Sequence, residues 1–220
     1  MAQKAHSLAA VDQLNIIFFG EMDISTAEKR LRVAMAAALQ RILLKYYDTI
    51  QRSLAVTPFT PDSAALYAAA AAGFAREYMS FFNNYYPRYL EALGSGSPES
   101  AESWVHRHSQ ELSLWILNTS IGESLTPIYD RLMNTVRTEV NEIGNLAVNN
   151  AAIHSGKTRK RWRTFGDSRV RSTHRAASGQ TVPINEPFII GGSRLMFPCD
   201  TSLGADASEV VNCRCTVQYL

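Results

Sequence analysis

The chain has 220 residues, of which 46% are hydrophobic and 19% charged, with a net charge of +2. That length and apolar share exclude a wholly disordered protein and allow one or two domains with a sizeable core. Twelve Gly and eight Pro exclude collagen-like and low-complexity classes. The longest uncharged apolar stretch, Ala64 to Ala75, falls short of the ~20 residues that span a membrane. Asp12 interrupts the uncharged N-terminal stretch, so no secretory leader is expected.

The charge is unevenly distributed. Residues 1–155 hold 12 Lys/Arg and 15 Asp/Glu, whereas residues 156–220 hold 10 and 5 and also all three Cys. This shift places a boundary near residue 156. Three Cys do not make a secreted disulfide framework and point to synthesis in a reducing cytoplasm.

The first 155 residues read as helices. Ser25-Thr-Ala-Glu28 is a capping box. Leu31, Met35, Leu39, Leu43, Tyr46 and Ile50 then recur at helical spacing and predict a helix ending near Ala55. A second helix is predicted over 62–84, with a break or kink before Pro87. Its Ala-rich stretch, 68–72, reads as core that permits close helix packing. A third is predicted over 99–121, started by Pro98, and a fourth over 127–153, with Thr126 as N-cap.

The texture changes after Gly156. Residues 156–163 read as a basic linker carrying Lys157, Arg159, Lys160, Arg161 and Arg163. Thr164-Phe-Gly-Asp167 resembles a capping box and predicts a helix to about Ala177, ended by Gly179. Extended pieces are predicted over 181–184, 188–190, 195–197 and 213–219, with Gly191-Gly192 as a hairpin turn. The expected architecture is mainly α: an elongated helical N-terminal bundle or arm over 1–155, the linker, and a small α+β module over 164–220.

Several residues can carry chemistry. Asp167, Arg171 and His174 share a face if helical, either as an acid–base group or as a structural ion pair with a hydrogen-bonded histidine. Cys213 and Cys215 fall on one side of a strand, and with Cys199 and His174 they can complete a Cys₃His zinc site. The rivals are a disulfide through Cys199 and three reduced core thiols. The basic run can contact nucleic-acid phosphates, with Trp162 stacking on a base; otherwise it is a solvated linker whose tryptophan anchors the module. Walker A, G-x-S-x-G, H-E-x-x-H and G-x-G-x-x-G motifs are absent.

Arg137-Thr-Glu139, then Trp162, Thr164, Asp167, Val170-Arg171 and His174, then Gly179, Pro198-x-Asp200 and Asn212-Cys213-Arg214-Cys215 run in order. Over about residues 135–220 this set resembles the phage Mu F-like family of minor head proteins. The resemblance implies a non-enzymatic minor capsid protein of a bacteriophage virion. It would be made in the host cytoplasm, held in several copies per head, and involved in head morphogenesis and genome delivery. Its implied partners are the portal protein, the capsid interior and, for a DNA-binding internal protein, packaged DNA. Cys199 stands where the family pattern has Gly, so a metal site, if present, would rest on His174, Cys213 and Cys215 with another ligand. A nuclease-like enzyme using His174, Arg171 and Glu139 is the rival from a different class.

Overall fold

The computed structural model describes residues 13, 15–16, 18–121 and 128–220. Four long helices lead: α1 Thr26–Val56, α2 Ala64–Leu93, α3 Glu102–Ile121 and α4 Ile128–His154. At 1.5 Å per residue they are roughly 30–45 Å long. The shorter elements are β1 Arg159–Arg163, α5 Ser172–Ala176, β2 Thr181–Pro183, β3 Phe188–Ile190, β4 Ser193–Leu195, α6 Ala207–Val210 and β5 Thr216–Tyr219. The chain is thus mainly α with a small C-terminal strand module. Among the described residues, no helix is long and apolar enough to cross a membrane.

Local chemistry sets the helix ends. The Ser25 hydroxyl accepts the Glu28 N–H at 3.2 Å, and the Glu28 carboxylate accepts the Ser25 N–H at 3.1 Å, completing the expected box. Helix α2 does not break before Pro87 but continues to Leu93. Pro87 removes one backbone donor, yet Phe81, Phe82, Tyr86, Tyr89 and Leu90 bury an aromatic face on both sides of it. Gly94, at φ 69°, ends the helix in the left-handed region. Pro98 starts a 3₁₀ turn, so α3 begins at Glu102 rather than at residue 99. Thr126, the expected cap of α4, lies outside the described residues.

The bundle core joins Met35, Leu39 and Leu43 of α1 with Phe74, Tyr78, Phe82 and Tyr86 of α2, Trp104 and Ile116 of α3, and Val136, Val140 and Ile143 of α4. The Ala-rich stretch is a correction. Only Ala71 of residues 68–72 is buried, and Ala68, Ala69 and Ala72 are exposed. Ala68, Ala71 and Ala72 line an open groove with Met79, Leu114 and Leu117.

Residues 159–163, read above as part of a linker, form the central strand of an antiparallel sheet ordered β2-β1-β5. Strands β3 and β4 pair as a separate hairpin across Gly191 and Gly192, which take φ 56° and 90°. The helix expected over 164–177 shrinks to α5. Asp167 accepts the Arg169 N–H at 3.1 Å in a turn, and Arg171 is extended at φ −58°, ψ 149°. Trp162, Phe188, Ile190, Leu195, Val210 and the three cysteines form a second apolar cluster.

A polar seam binds the helices to the strands. Arg32 of α1 is fully buried. Its guanidinium donates to Tyr89 Oη at 2.8 Å, to Asn145 Oδ1 at 3.2 Å and to Asn141 Oδ1. The two asparagine amides in turn donate to the carbonyls of Cys213 at 2.6 Å and Pro198 at 2.7 Å. Gly144 is required here: a Cβ on it would lie 2.6 Å from Arg32 Cζ. Gly144→Ala is therefore expected to destabilise the chain by about 1–3 kcal/mol through overpacking. The check is the urea midpoint, which should fall; an unchanged midpoint contradicts the close approach.

Candidate functional site

Helix α4 carries the site's frame. Its side chains are buried all round from Thr138 to Ala147, although Thr138, Glu139, Asn141, Glu142 and Asn145 are polar. A helix buried on every side is ordinarily apolar. Apart from Glu139, these polar side chains face backbone of the strand module. Thr138 Oγ1 accepts the Asn212 N–H at 3.1 Å, and Asn134 Oδ1 accepts the Asn212 amide at 2.7 Å. Further along, Glu142 accepts both the N–H and the hydroxyl of Thr201 at 2.8 Å, and Asn149 accepts the Tyr219 hydroxyl at 3.2 Å. The Asn-Cys-Arg-Cys segment is thus held by a row of short side chains at helical spacing. The positive φ of Asn212, 54°, turns the chain into that row.

Below the row lies a histidine–thiol cluster. His174, on α5, is 1% exposed. Its Nδ1 lies 3.4 Å from Cys215 Sγ and 3.5 Å from Cys213 Sγ. Its Nε2 lies 3.0 Å from Glu209, a carboxylate on α6 that also accepts the Thr173 hydroxyl at 2.8 Å. Trp162 meets His174 edge-on at 5.7 Å and Phe188 at 5.2 Å, which fits the anchor role rather than base stacking. All three cysteines are buried free thiols. Cys199 Sγ contacts the Cys213 carbonyl at 3.6 Å and stands outside the group formed by His174, Cys213 and Cys215. Contacts from the Cys199 and Cys215 thiols and from His174 hold Cys213 well below an ordinary thiol pKa. The same contacts, with burial, push Cys199 and Cys215 up.

The shared helical face of Asp167, Arg171 and His174 is not formed. Asp167 pairs with Arg214 at 2.8 Å and Arg169 at 3.0 Å, and Arg214 holds its carboxyl below the usual range. Arg214 also lies 4.6 Å over the Phe165 ring. Arg171 instead donates to the Val211 carbonyl. Thr164 meets the Ser178 hydroxyl at 3.3 Å rather than capping a helix. Gly179, at φ 84°, donates its N–H to the Trp162 carbonyl at 2.9 Å. Asp200 is fully buried, accepting the N–H groups of Met196 at 2.7 Å and Ser202 at 2.9 Å. Arg137 lies 5.4 Å over the Phe18 ring.

Glu139 belongs to another cluster, with residues the sequence reading passed over. His108 Nε2 lies 2.6 Å from Glu139, which also accepts the Tyr78 hydroxyl at 3.1 Å. Trp104 stacks on His108 at 4.4 Å. Glu139 is therefore engaged by α2 and α3, apart from His174, which is engaged by α6; of the three residues named for a nuclease-like centre, His174 and Arg171 line one cleft and Glu139 does not join them.

The basic run splits by strand alternation. Arg159, Arg161 and Arg163 are exposed on one face of β1, and Lys157 is exposed before it. Lys160 points inward, fully buried, donating to the Met196 carbonyl at 2.7 Å and lying 5.3 Å over the Phe188 ring. Burial pulls its pKa down to about 8. Lys160 is therefore removed from the nucleic-acid-contacting set.

The buried acids make stability depend on pH. Burial works against the His108 imidazolium, but the carboxylates of Glu139 and Glu142 outweigh it and raise the ring to about 9. Burial raises Glu142 to about 8. The raised histidine stabilises the fold at low pH and loses that contribution as pH climbs through its folded value. The raised carboxyl keeps a proton that the unfolded chain has already released above its ordinary 4.5, so stability again falls, between 4.5 and 8. Both signs agree. Lys160 and Cys213, held below their ordinary values, act in the opposite sense. The contribution of Glu142 is therefore read as a difference: Glu142→Gln, which keeps an acceptor for Thr201, should gain melting temperature relative to the unaltered chain as pH rises from about 5 to 8. A difference that stays constant over that range contradicts this.

A sequence model described as phage Mu protein F like protein matches residues 105–218. The match begins in α3 and takes in His108 and Glu139, all of α4 and nearly all of the strand module. No curated protein matches the chain, and no solved structure does. The matched residues cover more than half of the chain and hold the ordered motifs gathered at the seam, and the chain belongs to the phage Mu protein F like family.

Proposed function

We propose that the chain is a minor structural protein of a tailed-phage head, acting in head morphogenesis with its helical region docked on the portal or inner capsid. The observation that carries this reading is the convergence of the family motif on the seam, where its polar groups hold one another. Arg171 holds a carbonyl, Asp167 holds Arg214, Asp200 holds two backbone donors, and Asn212 is held by α4. Groups committed in this way position backbone rather than substrate. A non-enzymatic role follows, and the strand module serves as a rigid knob on the helices. Mass spectrometry of purified procapsids and mature heads should find the chain in several copies per head. Its absence from both contradicts the proposal. So would DNA cleavage by the purified protein that is lost in His174→Ala.

A second reading, contact with packaged DNA, is favoured by the three arginines exposed along one face of β1. Phosphate contacts release counterions, so each contributes about one unit to the slope of log affinity against log salt. Replacing Arg159, Arg161 and Arg163 together by Ala should weaken sequence-independent duplex binding and lower that slope by about three. Lys160→Ala should lower the melting temperature and leave the slope alone. An unchanged slope in the triple variant removes DNA from the partners of this face.

A further inference from the structure

His174, Cys213 and Cys215 bring one imidazole nitrogen and two thiols into a buried group whose donor atoms all lie within 4.8 Å of one another. The two nitrogen–sulfur separations are 3.4 and 3.5 Å. A tetrahedral zinc with Zn–N of about 2.0–2.1 Å and Zn–S of about 2.3 Å has N···S edges of about 3.6 Å. The cluster already has nearly those edge lengths.

We propose that His174 Nδ1, Cys213 Sγ and Cys215 Sγ bind one Zn²⁺, with water in the fourth position from the adjoining cleft beside Phe165, Arg171 and Asn212. Four features support it. The first is proton arithmetic. With Nε2–H donating to Glu209, Nδ1 offers a single lone pair to two thiols, so only one thiol can donate to it. Zinc replaces both thiol protons and releases them to solvent, and the two thiolates balance its charge, which makes the buried site neutral. The second is Glu209 itself. A carboxylate on the far nitrogen of a ligating histidine fixes the tautomer and ring orientation. The Thr173 hydroxyl orients that carboxylate at 2.8 Å, and Gly191 makes room for it, since a Cβ there would come within 2.3 Å of Glu209 Oε1. Third, the Cys215 N–H points at Cys213 Sγ at 3.4 Å, a donor suited to a thiolate. Fourth, α5 and the Cys213–Cys215 segment are some forty residues apart in sequence, and a module with so small an apolar cluster gains most from such a cross-link.

Cys199 is not a ligand in this assignment, because its sulfur lies outside the three-donor group. It packs behind Cys213 as a buried thiol.

The test is metal analysis of the full chain purified from bacteria without chelator. One zinc per chain is expected, together with a fall in melting temperature when a strong chelator removes it. Refilling with Co²⁺ should give thiolate-to-cobalt charge-transfer bands and the strong visible bands of a tetrahedral site. Cys199→Ser should keep the metal. If Cys213→Ser/Cys215→Ser is too unstable to isolate, the chelation and cobalt results on the unaltered chain decide alone. A folded chain that carries no zinc, takes up no cobalt and melts identically with and without chelator overturns the proposal. Loss of zinc from a folded Cys199→Ser variant overturns the three-ligand assignment.

Discussion

A fully buried arginine whose hydrogen-bond partners, among the described residues, include no carboxylate is the constraint on which the rest of the structure turns. Arg32 directs its three hydrogen bonds at neutral oxygens, on Tyr89, Asn141 and Asn145. An isolated buried charge is costly, and removing one partner of a buried charged group typically costs several kcal/mol. The guanidinium is tolerated because its donors find acceptors and because the Tyr89 ring lies 5.6 Å beneath it. Satisfying it fixes the two asparagines. Their amides then donate to the carbonyls of Cys213 and Pro198. One side chain on the first long helix thereby determines where two loops of the strand module sit.

Helix α4 transmits this order because it has no solvent side along its middle. Val136, Val140 and Ile143 belong to the bundle core, and Asn134, Thr138, Asn141, Glu142, Asn145 and Asn149 bond the strand module. The bonds from Thr138, Asn141, Glu142 and Asn145 reach backbone and are indifferent to what the module's own side chains are, provided its loops keep their path, whereas Asn134 and Asn149 meet the side chains of Asn212 and Tyr219. The path is kept by the histidine–thiol cluster on one side and by Asp200 on the other. Such a joint resists relative motion of helices and strands.

Much of the fold was legible in the sequence. The box at Ser25–Glu28, the stripe from Leu31 to Ile50 and the hairpin glycines 191 and 192 act through local geometry, and local geometry is what periodicity and turn chemistry report. The failures are tertiary. Pro87 reads as a break or a kink, and the aromatic face on both sides of it keeps α2 continuous to Leu93. The run from Lys157 to Arg163 reads as a linker whose charges are all free for solvent or phosphate, yet strand alternation buries Lys160 while it exposes the arginines and seats Trp162 as the module's anchor. Asp167, Arg171 and His174 read as one helical face, yet Asp167 is drawn to Arg214 from the far end of the chain. The ordered motif carried the family, and His174, Cys213 and Cys215 did meet. Missed were His108, Glu142 and the asparagine row. The row had a signal: Asn134, Thr138, Asn141, Asn145 and Asn149 recur at spacings of three and four, and such a polar stripe reads as a solvent face unless a backbone is brought against it.

Arg32, through Asn141 and Asn145, holds the loops at Pro198 and Cys213 in place. Native-state hydrogen exchange on Arg32→Met, which keeps length and apolar bulk, tests it most directly. Protection should fall at the amides of residues 199–215 while the middles of α2 and α3 stay protected. Equal loss everywhere, or unchanged protection at 199–215, would contradict the account.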